Sequence, residues 1–284
     1  MTEERGAAGS ASESAPAKVN LVLHVGPPEP TGLHSVCSLF ASIDLSDTVT
    51  LSPADRDEVI CAPPIDGPNL APAALAAFRS AVPDALPPMR VEIEKRIPVA
   101  AGLGGGSADA AAVLRAANRL AGEPLAPDRL RDLAAPLGSD VPSQIEPRHA
   151  LVTGTGEWVE PVELPAMTLL VVPASIGLST AAVYAEADRI GATRAELDAG
   201  VVCALATLPL PELAARLEND LEAAAVALRP ELVETRESLL RRSALAARVT
   251  GSGPTVFGVF ADRAAAEAAA GELDERALVV GLRD

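Results

Sequence analysis

The chain is 284 residues long, 49% hydrophobic and 22% charged, a balance that supports a packed core and excludes global disorder. A formal net charge of −16 with only 2% aromatic residues repels phosphate backbones and offers few stacking platforms, so no nucleic-acid partner is expected. Cys37, Cys61 and Cys203 are odd in number and form no CxxC pair, which argues against a zinc site or a disulfide framework and fits a reducing cytoplasm.

Residues 1–14, small and polar with early glutamates, are expected to be a disordered tail without the apolar core of a signal peptide. Alternating apolar residues over 18–25 predict a half-buried strand, closed by the turn-forming GPPEPTG. Extended runs at 34–43 and through DTVTLS continue the sheet. After a Pro- and Asp-rich excursion the pattern predicts a helix over 72–81, a strand over 89–97, and helices over 107–121 and 128–135. HALVTGTGEWVEPV, with two glycine turns, reads as a hairpin in which Trp158 packs, and it closes a first domain of 15–162 before a second of 163–284.

The second half is expected to hold a strand over 168–172, helices starting near Ser179, Glu196, Pro211 and Pro230, paired strands at 247–250 and 255–260, a helix over 263–272 and a last strand at 277–281. That order implies an α+β fold with a mostly antiparallel sheet. The charge-free stretch 164–185 is long enough to cross a bilayer, but Pro165, Pro173, Gly177, Ser179 and Thr180 break it, so no membrane partner is expected.

The strongest local signal runs from Pro98 to Ala108, PVAAGLGGGSA, between a predicted strand and a strongly helical segment. Glycines let a backbone approach a ligand, and successive N–H groups at the positive end of a helix converge on an anion. No Lys-Ser/Thr follows the last glycine and the GxGxxG spacing fails, so the run is neither a Walker A loop nor a dinucleotide fingerprint. A glycine-rich hinge is the alternative. Four glycines in the five positions 102–106, with Ser107 as a helix cap, exceed what a hinge requires. Asp109, in the first turn, also reads as a cap.

PxxxGLGxGSA resembles the phosphate-binding motif of the GHMP kinases. PAKVNLVLHV near the start, LGSDVP at 137–142 and TGSGPTVFGVF at 250–260 resemble the opening strand, catalytic loop and third glycine motif of that family, in the same order. The resemblance implies a two-domain GHMP kinase fold, an N-terminal ATP-binding domain followed by a ferredoxin-like α/β sandwich. It also implies an ATP-dependent, Mg²⁺-assisted phosphotransferase acting on an alcohol. Pro98, Gly102, Leu103, Gly104, Gly105, Gly106, Ser107 and Ala108 would hold the nucleotide, and Asp140 would be the catalytic base. Lys18 would be its partner: only two of the chain's 23 basic residues are lysines, and this one lies in a predicted strand. Without the family match, an edge-strand lysine and a turn aspartate would be the plainer readings.

PAKVNL, the PxxGxH turn at 30–34, IDLSD at 43–47, LSTAAVY at 178–184 and ENDLE at 218–222 resemble the branch of the superfamily that phosphorylates a diphosphocytidyl alcohol in isoprenoid precursor synthesis. By that resemblance Asn20, His34, Thr180 and Tyr184 line the substrate pocket, and Gly251, Ser252 and Gly253 approach the transferring phosphate or the substrate; a monomer and a homodimer are both open. His24 and His149 lack partners at metal-ligand spacing, and no protein metal ligands are expected. Leu33 replaces the tyrosine of the branch's PDGYH turn, and Ser143 and Gln144 stand where it carries an aromatic. The alternatives are a GHMP kinase for another small alcohol and a catalytically silent nucleotide-binding protein, against which Lys18 and Asp140 together argue.

Overall fold

The structure, a computed structural model, describes residues 9–65, 67–273 and 276–283. The chain forms two compact units. The first draws on residues up to Ala17, Leu45–Val99 and Gly104–Pro147; the second on Lys18–Asp44, Ala100–Leu103 and the chain from Arg148 onward. The units interleave along the sequence, so no single cut near residue 162 divides them: the two long strands and the glycine run each contribute to both.

The first unit contains the beginning of β1 (Ala11–Pro28), the end of β2 (His34–Pro53), β3 (Glu58–Ala62), α1 (Ala71–Ala81), β4 (Met89–Glu94), α2 (Gly105–Leu120) and α3 (Pro127–Ala134). β2 runs antiparallel to β4 from Thr48↔Glu94 to Pro53↔Met89, and β3 joins β4 in parallel. In β4 the alternation of MRVEIE places Met89, Val91 and Ile93 inward and Arg90, Glu92 and Glu94 outward, as a half-buried strand requires. Over them lies α2, whose alanines 108, 110, 111, 112, 116 and 117 are all buried and present little bulk to their neighbours. Phe78 of α1 and Leu114 of α2 are the large fully buried side chains on these helices, each stabilising by about 1.5–3 kcal/mol.

Ala11–Ser14, expected in a disordered tail, belong instead to β1. Ala11 is buried, Ser12 and Thr50 share a hydroxyl hydrogen bond of 2.8 Å, and Glu13 pairs with Arg115 and Arg119 of α2. The partners lie far along the chain, so local composition could not reveal them. Residues 1–8 of the expected tail lie outside the described residues.

The second unit contains the remainder of β1 and β2, then β5 (Ala150–Gly154), β6 (Trp158–Pro161), β7 (Thr168–Val172), α4 (Thr180–Ile190), α5 (Ala199–Leu205), α6 (Leu210–Ala214), β8 (Glu218–Asn219), α7 (Glu222–Leu228), α8 (Glu231–Arg241), β9 (Ala246–Val249), β10 (Val256–Phe260), α9 (Arg263–Ala270) and β11 (Leu278–Gly281). The last four-stranded sheet has the order β11-β7-β10-β9, antiparallel throughout. Numbered within the sheet that is 4-1-3-2, the ferredoxin-like arrangement. β5 and β6 form the expected hairpin, but Trp158 is 69% exposed rather than packed. The helix expected near Ser179 is α4, and Ser179 caps it, accepting from the Ala182 N–H at 3.4 Å.

Candidate active site

In the second unit the beginning of the glycine run meets the C-terminal glycine turn. Gly102 has φ +76°, and a Cβ there would lie 2.6 Å from the Thr250 carbonyl oxygen and 2.9 Å from that of Gly253. Only glycine fits, for both conformational and steric reasons. Asn219, in the two-residue β8, clamps the same turn by donating through Nδ2 to the carbonyls of Val249 and Gly251, each at 2.8 Å.

Lys18 of β1 lies beside this turn. Its backbone N–H donates to the Leu103 carbonyl at 3.0 Å, and its Nζ lies 3.6 Å from where a Cβ on Gly251 would stand. The ammonium donates to Asn20 Oδ1 at 2.6 Å and sits 4.8 Å from the centre of the Phe40 ring. Asn20 is itself fixed: its Nδ2 donates to Ser38 Oγ at 2.9 Å, its backbone N–H donates to Thr250 Oγ1 at 3.0 Å, and Ser38 Oγ donates to the Val22 carbonyl at 2.6 Å. The buried Asn20 side chain thus orients Lys18, a role that its place in PAKVNL alone does not disclose.

In the first unit the remainder of the glycine run starts α2. Gly104, in the left-handed region at φ +73°, is the N-cap, and no side chain caps the helix. Ser107 and Asp109 therefore do not cap: the helix begins at Gly105, two residues earlier than expected, and both lie inside it. The first-turn N–H groups of an α-helix have no intrahelical acceptor and carry its positive end. The neighbouring glycines differ in what they need. A Cβ on Gly105 would meet Ile97 at 3.0 Å, whereas one on Gly106 would meet nothing within 4 Å. Among the described residues nothing in the packing calls for glycine at 106, which fits a backbone kept bare for a ligand.

Asp109 turns instead toward Lys95, the chain's other lysine, whose Nζ donates to Asp109 Oδ2 at 2.7 Å and to Asp47 Oδ2 at 2.5 Å. Asp47 Oδ1 also accepts the backbone N–H groups of Arg96 and Ile97, at 2.5 and 2.8 Å. Burial pushes the Asp109 carboxyl up to about 6, Lys95 opposes the rise and Asp47 adds to it. Burial works against the Lys95 ammonium, but the Asp109 and Asp47 carboxylates outweigh it and hold its pKa above the usual value. Burial thus dominates at Asp109, and the two carboxylates dominate at Lys95.

Asp140 is half-buried, in the loop after α3. Its backbone carbonyl accepts from Ser143 Oγ at 2.8 Å, and the Val141 N–H returns to the Gly138 carbonyl at 3.0 Å. Ser143 and Gln144 are buried here, with Arg115 donating to the Gln144 carbonyl. The two polar residues found in place of an aromatic therefore brace the loop that carries Asp140.

Of the remaining candidates, the His34 ring lies 4.9 Å from that of Tyr184, with Nδ1 2.8 Å from the Gly26 carbonyl and Nε2 3.4 Å from Asp188. Thr180 and Ser252 share a hydrogen bond of 3.0 Å, and Leu33, which precedes His34 in the chain, is 51% exposed. His24 is buried, its pKa lowered by that burial and by Arg194, and His149 accepts the Ser42 N–H at 3.1 Å. Among the described residues no group of three or more His, Cys, Asp or Glu side chains is placed to hold a metal ion, and no helix is long and apolar enough to cross a membrane.

Two family descriptions match the chain, GHMP kinases N terminal domain over residues 69–146 and GHMP kinases C terminal over residues 204–278. A Kineococcus radiotolerans protein named 4-diphosphocytidyl-2-C-methyl-D-erythritol kinase is 42% identical over 265 residues, 87% of this chain and 80% of that protein. A Salinispora arenicola protein of the same name is 41% identical over 288 residues, covering 95% of this chain and 90% of that one. A crystal structure of 4-(cytidine 5'-diphospho)-2C-methyl-D-erythritol kinase superposes with a TM-score of 0.78 at 32% identity, over 96% of this chain and 100% of the other. The homoserine kinase of Cytophaga hutchinsonii, at 18% identity and a TM-score of 0.68, shares the fold. Glycine turns, a buried lysine and an aspartate loop therefore stand on a known scaffold, and the chain belongs to the GHMP kinase family.

Proposed function

We propose that this chain transfers the γ-phosphoryl group of ATP to the 2-hydroxyl of 4-diphosphocytidyl-2-C-methyl-D-erythritol. The uncapped start of α2 carries the reading: its first-turn N–H groups follow a left-handed Gly104, and Gly106 is bare without a packing reason. Pro98, Gly102, Leu103, Gly104, Gly105, Gly106, Ser107 and Ala108 hold the nucleotide, with the amides of the run on the phosphates.

Phosphoryl transfer demands positioning and charge stabilisation more than covalent chemistry from the protein. The Asp140 carboxylate takes the proton of the substrate hydroxyl. That oxygen bonds to the γ-phosphorus as the bond to the β,γ-bridging oxygen breaks, and ADP leaves with the electron pair. Lys18, oriented by Asn20, lowers the cost of negative charge on the attacking oxygen. Mg²⁺ would supply further neutralisation, carried by the nucleotide phosphates rather than by a protein cage. The turn Gly251, Ser252 and Gly253, paired through Ser252 with Thr180, lies toward the transferring group, and His34 and Tyr184 face the cytosine. The same His34–Tyr184 pair favours this alcohol over homoserine or mevalonate, although exposed Leu33 offers the base no aromatic face. A cytoplasmic location fits the ATP requirement and three free thiols.

A coupled ADP-release assay tests the reading. ADP is expected with the cytidyl alcohol and not with homoserine, mevalonate or galactose; turnover confined to one of the latter would overturn the substrate assignment, and ATP binding without turnover on any alcohol would overturn the kinase reading.

A further inference from the structure

Lys95, Asp47 and Asp109 have no assigned part in phosphoryl transfer, yet they join three segments of the first unit at the start of the phosphate-binding helix. Asp47 comes from β2, Lys95 follows β4, and Asp109 sits just beyond the first turn of α2. The side chains are 0%, 6% and 5% exposed. Asp109 Oδ1 is buried with no hydrogen-bond partner, so a carboxylate is held here at a cost that an apolar residue would avoid. A group retained at such a cost calls for a role beyond stability.

The geometry points to Asp109 as a positioning residue for the phosphate cradle, tying the first turn of α2 through Lys95 to the end of β4 so that the amides of Gly104–Ser107 are preorganised for a triphosphate. Lys95 Nζ would lie 3.5 Å from a Cβ on Gly105, so the ammonium sits close beneath the backbone of the turn. Asp47 holds the other side through the Arg96 and Ile97 N–H groups, one residue before Pro98 opens the glycine run. The link is asymmetric. Loss of Asp109 leaves the Lys95–Asp47 pair intact and neutral, so the sheet end persists while the helix start is released. Loss of Asp47 would also strip two backbone amides of their acceptor.

The inference rests on the glycine run binding the nucleotide phosphates, and the test separates the two. In the full-length enzyme, Asp109→Leu is expected to raise the KM for ATP about tenfold and to weaken competition by inorganic tripolyphosphate to the same extent, with kcat within twofold of wild type. Asp109→Asn keeps an acceptor for Lys95 and is expected to stay within threefold on both readouts. A purely structural role would lower Tm in Asp109→Leu without moving KM, which would overturn the inference, as would equal KM values in all three proteins or a fall in kcat with KM unchanged. Should the leucine variant fail to fold, Asp109→Ala carries the same expectation. Gly106→Val, into open space, serves as the parallel control. An unchanged KM there would sink the phosphate-cradle reading itself, whereas a raised KM there beside unaffected Asp109 variants would sink only the positioning role.

Discussion

The chain's two lysines are held by different neighbours on different segments. Lys18 donates to an amide oxygen and lies over the face of a phenyl ring, both of which orient the ammonium beside the Gly251 turn. Lys95 is met by two carboxylates, and its charge is more than cancelled. An ammonium oriented beside a glycine turn can act on a substrate, whereas one locked between two carboxylates from separate segments holds those segments in place. Lysine in a GHMP kinase is thus not one kind of residue, and the partners distinguish the uses better than burial, since both are buried.

Substitution should separate the two, and the largest effect is expected at Lys95. Lys95→Met leaves two buried carboxylates without their cation and should cost about 3–5 kcal/mol of stability in urea unfolding; a loss below about 1 kcal/mol would show that the cluster does not hold the unit together. Lys18→Met should instead lower kcat by about 10²–10³-fold, the range for removing a donor that acts on developing charge, while the urea midpoint moves little. If that variant lost stability rather than turnover, the distinction would fail.

Gly102 tests the turn beside Lys18. Gly102→Ala forces a Cβ against two carbonyl oxygens at a positive φ and should destabilise by on the order of 1–3 kcal/mol, read as a drop in Tm. An unchanged Tm would mean that the two glycine turns are not in close contact.

The smallest effect concerns pH and Asp109. Its folded-state pKa, about 6, lies above the ordinary 3.8 because burial disfavours the carboxylate. Below the ordinary value the group is protonated in both states and costs nothing. As pH rises through the window between the two values the folded state is penalised, by on the order of 1–3 kcal/mol at neutrality. Asp109→Asn should therefore gain stability relative to wild type between pH 4.5 and pH 7.5, measured by urea unfolding at about those values. A difference independent of pH would contradict the assigned shift.

Much of this architecture was legible where one stretch of chain carries its own pattern. The β5–β6 hairpin, the bounds of β7 and the glycine run before α2 were readable from alternation, glycine spacing and helical composition. Pairings between distant residues were not. Lys95 lies 48 positions from Asp47 and 14 from Asp109, and Asn219 lies 32 from the Gly251 carbonyl that it holds. IDLSD and ENDLE marked Asp47 and Asn219 as parts of motifs without saying what they grip. β3 was hidden in a Pro- and Asp-rich stretch, and β8, two residues long, is too short for any periodicity. Ser107 and Asp109 both looked like caps because Ser and Asp favour that position, yet a left-handed glycine took it.

The most direct measurement is ³¹P NMR of the product formed from ATP and 4-diphosphocytidyl-2-C-methyl-D-erythritol by the wild-type protein and by Asp140→Asn. The wild type should produce a new phosphomonoester on the 2-hydroxyl, and Asp140→Asn should form it about 10²–10⁴-fold more slowly while binding ATP with nearly unchanged affinity. No phosphomonoester from the wild type, or an equal rate from the variant, would contradict the account.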